Sequence, residues 1–511
     1  MSVTANNPIL PGFYPDPSIV AVGEDFYIVN SSFAYFPGLP IMHSKDLAHW
    51  KQIGNAMNRN SQLPVGNDEI SRGLFAPTIR YNNGTYYIIC TNVSFGGNYI
   101  ITADSPEGPW SEPHYIEGAE GIDPSLFFDD DGRVYYTGTH PNPKGCRYDG
   151  DWYIYTQEID IENFKLIGEP VDVWNGAMRG VHWPEGPHLY KVGEYYYILH
   201  AEGGTGPNHA ISVARSKNVF GPYEMNFNNP IFTHRHLGMR YPIRYVGHGD
   251  MFCTAQGDWY IIMLATRPIS GMTTMGRETF LAKVYWEEGW PVINPGVGML
   301  TDEVNINLEE YISDSDASLA PFSDKHYEFA DMKEMPLSCI TIRNPEDDMY
   351  RFDSEGLALK CGTRRSTVML RQDAHVFDAV AVLRTKDLYN STKAGLMLYQ
   401  NDKYQLRVDF SGIHATAVLT VDGKEEVIGN MMVAVNNITL LLSVKGLKAS
   451  IFVGEGNQVA PLVKDVDISK LSTEVAGGFV GCTVGIFAEA ADEKDSDIYA
   501  TFKSLSYRPI S

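Results

Sequence analysis

Basic residues are scarce in this chain. Its 511 residues include 40 lysines and arginines against 63 aspartates and glutamates, a formal net charge of -23. A surface of that sign repels phosphate backbones and anionic headgroups, which excludes nucleic acid and membrane surfaces as natural partners. Long apolar runs are also missing, since none approaches the roughly 18 residues that a membrane-spanning helix needs. Cysteine is sparse. Cys90, Cys146, Cys253, Cys339, Cys361 and Cys482 stand apart, with no CxxC pair and no histidine cluster at zinc spacing. That argues against a disulfide framework or a zinc site and predicts buried thiols. The opening MSVTANNPILPGFYPDP has neither the basic region nor the apolar stretch of a secretory signal, so a cytoplasmic location is expected.

What is present is the composition of a soluble globular protein, 44% hydrophobic and 20% charged. The length exceeds one ordinary domain and predicts a larger and a smaller unit. Aromatics make up 12% of the chain, a resource for β-sheet cores first and for sugar faces second.

Five segments repeat one pattern, a Pro- or Gly-containing entry, a short apolar strand, a tight turn and an aromatic-rich strand. They are DPSIVAVGEDFYIV from Asp16, APTIRYNNGTYYII from Ala76, DPSLFFDDDGRVYYT from Asp123, EGPHLYKVGEYYYIL from Glu185 and GDMFCTAQGDWYIIM from Gly249. Their turns carry residues that tolerate positive φ, as hairpins between twisted strands require. A spacing of about 50 to 65 residues leaves room for four strands per copy, the blade of a propeller. SKDLAHW, ADSPEGPW, ARSKNVFGPY and the weaker IDIENFKLIG recur at similar distances after their hairpins. The pattern predicts an all-β chain: a five-bladed β-propeller over residues 1–300, an acidic linker over 301–324 and, from alternating segments such as YQLRVDF and ITLLLSV, a C-terminal β-sandwich over 325–511.

Equivalent points on the innermost strands of a propeller converge on its axis. At that point blade one has Asp16, blade three Asp123 and blade four Glu185, whereas blade two has Ala76 and blade five the His248–Asp250 group. An aspartate before proline often does no more than start a turn. Three carboxylates at one repeat position are costly to assemble, because like charges must be desolvated together, and chemistry is a reason to tolerate that cost. Paired carboxyl groups about 6.5 to 9.5 Å apart across a glycosidic bond act as general acid and general base, with inversion. Asp129, Asp130 and Asp131 superficially suggest a calcium loop, but no glutamate follows at its twelfth position, so they are expected to be solvated turn residues.

The motifs NPILPGFYPDPSIV, SSFAYFPGLPIMHSKDLAHW, GIDPSLFFDDDGRVYY, EGPHLYK, AEGGT, GHGD and GRETF together resemble glycoside hydrolase family 43, in its two-domain β-xylosidase and α-L-arabinofuranosidase branch. The resemblance runs from about Asn7 to the C-terminus. It implies that Asp16 is the general base, Glu185 the general acid and Asp123 the carboxylate that raises and orients the acid; spacing alone does not separate these roles. It also implies that Arg277 binds substrate, that Phe33 lines the pocket and that Phe75 stands where a tryptophan is usual. His248 resembles a histidine near the axis that contacts the site and in some members holds calcium through one imidazole and waters. No cofactor is otherwise implied. The expected activity is inverting exo-hydrolysis of xylo-oligosaccharides or arabinoxylo-oligosaccharides, releasing xylose, with α-L-arabinofuranosidase as the alternative and a non-catalytic carbohydrate-binding propeller as a third reading. A homo-oligomer is left open. The segment GGFVGCTVGIFAEA, from Gly477, resembles the part of the sandwich that reaches the pocket, and Phe487 is the residue expected either to wall it or to pack the sandwich.

Overall fold

The computed structural model describes residues 2–177, 180–312, 320–386, 388, 390–490 and 498–510. Each of the five repeats is a four-stranded antiparallel meander whose strands follow chain order from the axis outwards. The hairpins expected from sequence are the first two strands of every blade: Ser18–Val22 with Asp25–Val29, Thr78–Asn82 with Thr85–Asn92, Ile122–Phe128 with Val134–Pro141, Glu185–Val192 with Tyr195–Glu202, and Arg244–Cys253 with Trp259–Thr266. Middle strands are covered by a neighbouring blade on both faces, so they read as nearly continuous apolar runs; Trp259–Thr266 (WYIIMLAT) is buried along almost its whole length. Outermost strands have solvent on one side, and Lys165–Trp174 is accordingly exposed along most of its length. The echo segments lead from the third strand of a blade to its fourth.

Among the described residues no strand is shared between the first and last blades. The ring is held by other contacts. Val3–Asn6 pairs with Glu303–Ile306, and Leu10 and Thr279 exchange backbone hydrogen bonds. Asn7 donates its carboxamide to the Leu281 and Thr301 carbonyls at 2.8 and 2.9 Å. On the axis, buried Asp250 accepts from Ser18 Oγ (2.7 Å), Arg80 (2.8 Å) and Tyr190 Oη (2.7 Å), so one carboxylate of blade five grips blades one, two and four.

The C-terminal unit stacks an eight-stranded sheet on a six-stranded one around one apolar core. The six-stranded sheet turns its other face to the propeller, where Met369, Met397, Tyr399 and Phe487 pack with Phe13, Tyr35 and Leu39. A two-stranded ribbon, Tyr35–Phe36 with Thr341–Ile342, crosses the junction.

Three expectations need correction. Glu303–Ile306, inside the expected linker, is a strand, because it completes the clasp with the N-terminus; residues 313–319 of that stretch lie outside the described residues. Cys146 is exposed, on the loop after Pro141, and Cys253 only half-buried, whereas the other four thiols are buried. Asp129 is buried as well, accepting from Lys191 Nζ at 2.6 Å and Tyr196 Oη at 2.7 Å, so it braces blade three against blade four while Asp130 and Asp131 remain exposed.

Candidate active site

The first strands of blades one, three, four and five end at one mouth of the axis. Asp16, Asp123, Glu185 and His248 line a single pocket there, together with Phe33, Phe75, Thr205, His209, Arg277 and Phe479. Asp16, Asp123 and His248 all take left-handed backbone, with φ of 48°, 52° and 43°. Non-glycine residues reach that region at a cost, and such strain gathers at functional sites. The same turn at three blade heads aims three side chains at one point.

Asp16 accepts from Arg277 Nη1 at 2.6 Å and from Ser31 Oγ at 2.5 Å, with His248 Nδ1 3.8 Å away. Burial opposes its ionisation, but the Arg277 guanidinium, then His248 and the Ser31 hydroxyl, outweigh it and hold its pKa below the ordinary aspartate value. Asp123 accepts the Gly186 N–H at 3.1 Å. Burial, reinforced by the charge of Asp16, pushes its pKa up to about 6. Glu185 is pushed well above the usual glutamate range, first by its enclosure and then by the charges of Asp123 and Asp16. Beside it, Pro184 is buried, its carbonyl accepting from Thr139 Oγ1 at 2.6 Å, and the Trp183 N–H donates to the Gly150 carbonyl at 2.7 Å. Gly186 cannot be larger: its φ is 56°, and a Cβ there would lie 2.7 Å from the His248 ring.

The opposite wall is aromatic. Phe33 and Phe479 lie nearly parallel at 6.0 Å, and Phe75 meets both edge-on at 5.5 and 6.0 Å. Arg277 sits within 6 Å of the Phe33 and Phe479 rings, which fixes the plane of its fork. Phe479 comes from the sandwich domain, and its N–H donates to Ser71 Oγ of the propeller at 3.0 Å, which ties it in place.

All seven residues expected from sequence thus converge. Thr205, His209 and Phe479 were not foreseen. Thr205 lies in the AEGGT motif, which offered a signal; His209 carries none beyond being a histidine. Phe479 lies in the segment expected to reach the pocket, but eight residues before Phe487, which is wholly buried between the sandwich and the propeller instead. Among the described residues no three His, Cys, Asp or Glu side chains group as metal ligands, so a calcium at His248 would take most of its ligands from water. Calcium takes six to eight ligands, so these side chains by themselves do not make a calcium cage.

A pocket with one carboxyl group whose pKa is held down and another whose pKa is pushed up, against an aromatic wall, suits acid–base hydrolysis of a sugar. The sequence comparisons agree. Residues 5–291 match the model of glycosyl hydrolases family 43, and 326–508 that of the β-xylosidase C-terminal concanavalin A-like domain. The chain belongs to glycoside hydrolase family 43. It is 46% identical to a xylosidase/arabinosidase of Butyrivibrio fibrisolvens, over 99% of this chain and 100% of the relative, and 32% identical to a non-reducing end α-L-arabinofuranosidase of Bacteroides ovatus, over 97% and 93%. The solved xylan β-1,4-xylosidase of Bacillus halodurans superposes with a TM-score of 0.90 at 30% identity, covering 99% of this chain and 100% of that one.

Proposed function

We propose that the chain is an inverting exo-acting β-xylosidase that releases xylose from the non-reducing end of β-1,4-xylo-oligosaccharides. The observation that carries this reading is the opposite displacement of two carboxyl groups in one pocket, Asp16 down and Glu185 up. Near neutral pH Asp16 is ionised and acts as the base that draws a proton from the attacking water. Glu185 keeps its proton and gives it to the leaving oxygen. Asp123 is largely ionised at that pH, and its charge keeps the proton on Glu185. Phe479, brought in by the second domain, stands across the pocket and favours a chain end over the middle of a polymer.

The names of the relatives support both pentoses, so α-L-arabinofuranosidase activity in the same pocket is the second reading. Proton NMR of the first minutes of nitrophenyl β-xyloside hydrolysis tests the mechanism. Initial α-xylose is expected. Initial β-xylose would mean a covalent intermediate and would remove the general-base role of Asp16.

A further inference from the structure

Behind the Arg277–Phe479 wall lies a second cavity of about 200 Å³ between the two domains, against about 100 Å³ for the catalytic pocket. It shares Thr205, Arg277 and Phe479 with the catalytic pocket, but neither Asp123 nor Glu185 reaches it. Asp16 does not line it either, so Thr205, Arg277 and Phe479 are its links to the catalytic pocket.

Its walls are those of a polyol site. Tyr245 and Phe479 offer ring faces, Thr266, Thr273 and Thr473 line it with short polar side chains, and Glu474 contributes a carboxylate. Glu474 accepts from the Thr273 N–H at 2.7 Å and from Thr273 Oγ1 at 2.8 Å, one bond to each oxygen. A carboxylate oxygen accepts more than one bond, so both retain capacity. Two shared groups are incompletely paired: Thr205 Oγ1 and Arg277 Nε are buried without a hydrogen-bond partner among the described residues, a costly condition unless a ligand or water meets them. The carboxylate disfavours an anion, and the hydroxyls and guanidinium disfavour a hydrocarbon. A neutral sugar satisfies all of them.

We infer that this interdomain cavity is a second pentose site beside the catalytic pocket, with Glu474 and Tyr245 as its binding residues. The inference rests on the glycosidase reading for the identity of the sugar. The occupant is either a free pentose or a pentosyl branch on the xylose held in the catalytic pocket.

Calorimetric titration of the full-length protein with D-xylose and with L-arabinose tests it without any variant: two sites per chain are expected for at least one sugar, and a single site for both would overturn it. Glu474→Gln and Tyr245→Ala should weaken one of the two sites at least tenfold while kcat/KM on nitrophenyl xyloside stays within twofold. Two sites that neither substitution touches would overturn the location. The source is read from xylobiose with and without an arabinosyl group on its non-reducing xylose. A tenfold selective loss on the branched sugar in Glu474→Gln identifies an attached branch, whereas an unchanged ratio with the second site lost identifies free pentose. Two bound pentoses in an enzyme inactive on xylosides would uphold the cavity and sink the β-xylosidase reading instead.

Discussion

Arg277 has two tasks at one position: it holds Asp16 ionised and it presents a flat cation between two phenyl rings. The first task has a measurable sign. The acidic limb of kcat/KM follows ionisation of the base, and the guanidinium lowers the pKa of Asp16, so Arg277→Ala should move that limb to higher pH. The basic limb follows loss of the proton from Glu185. Asp123 raises the pKa of Glu185 by its charge, so Asp123→Asn should move the basic limb to lower pH. Profiles on a substrate saturating neither variant check both shifts; a basic limb unmoved in Asp123→Asn would show that Asp123 does not act on Glu185 through charge.

At the scale of the strand, the catalytic layer stands directly on a layer of buried polar groups. Ser18 lies two residues after Asp16, His188 three after Glu185, and Asp250 two after His248. Asp250 links the strands that carry them, and Arg80 also donates to His188 Nδ1 at 3.0 Å, whose imidazole burial keeps neutral by drawing its pKa down to about 3. Removing one partner of a buried pair leaves the other charge unmet, so Asp250→Ala should cost about 3 to 5 kcal/mol. The Arg80 guanidinium, His188 and the Ser18 hydroxyl overcome the burial that opposes ionisation and hold the folded-state pKa of Asp250 below the ordinary value. Its stabilisation is therefore full above the unfolded-state pKa of about 4 and fades as pH falls towards the folded one. Chemical denaturation at pH 7 and below pH 4 checks this: the gap between wild type and variant should narrow on acidification.

For the whole molecule, the division between Phe479 and Phe487 defines what the second domain contributes. Phe487 is sealed between sheet and propeller, and Phe→Ala at such a site costs about 3 to 5 kcal/mol through lost burial and the cavity left behind. Phe487→Ala should lower the melting temperature and leave the preference for xylobiose over xylan unchanged. Phe479, 40% exposed, should do the reverse. Its removal opens one wall of the pocket, so Phe479→Ala should raise KM for xylobiose and narrow the gap to xylan, with little change in melting temperature. A large stability loss in Phe479→Ala with unchanged preference would make it a packing residue.

The repeat spacing, the turn residues and the alternation of the last third determine the propeller and the sandwich, because hairpin geometry and strand periodicity are local properties of the chain. The three carboxylates were legible for the same reason: they occupy one repeat position, and a propeller's symmetry brings repeat positions together. The roles proposed for them were not legible from position alone, since Asp16 and Glu185 differ only in what surrounds them, Arg277 and Ser31 for Asp16 and enclosure with neighbouring negative charge for Glu185. The pocket wall was out of reach too. Successive residues along Thr483–Ala490 face opposite sides of its sheet, and both sides are buried: Val484 and Ile486 face the sandwich core, Phe487 the propeller. Where both faces are apolar, alternation does not say which partner each face meets. That choice, and with it the placing of Phe479 over Arg277, belongs to the docking of the two domains, a contact between residues more than 200 apart in sequence that only the tertiary structure decides.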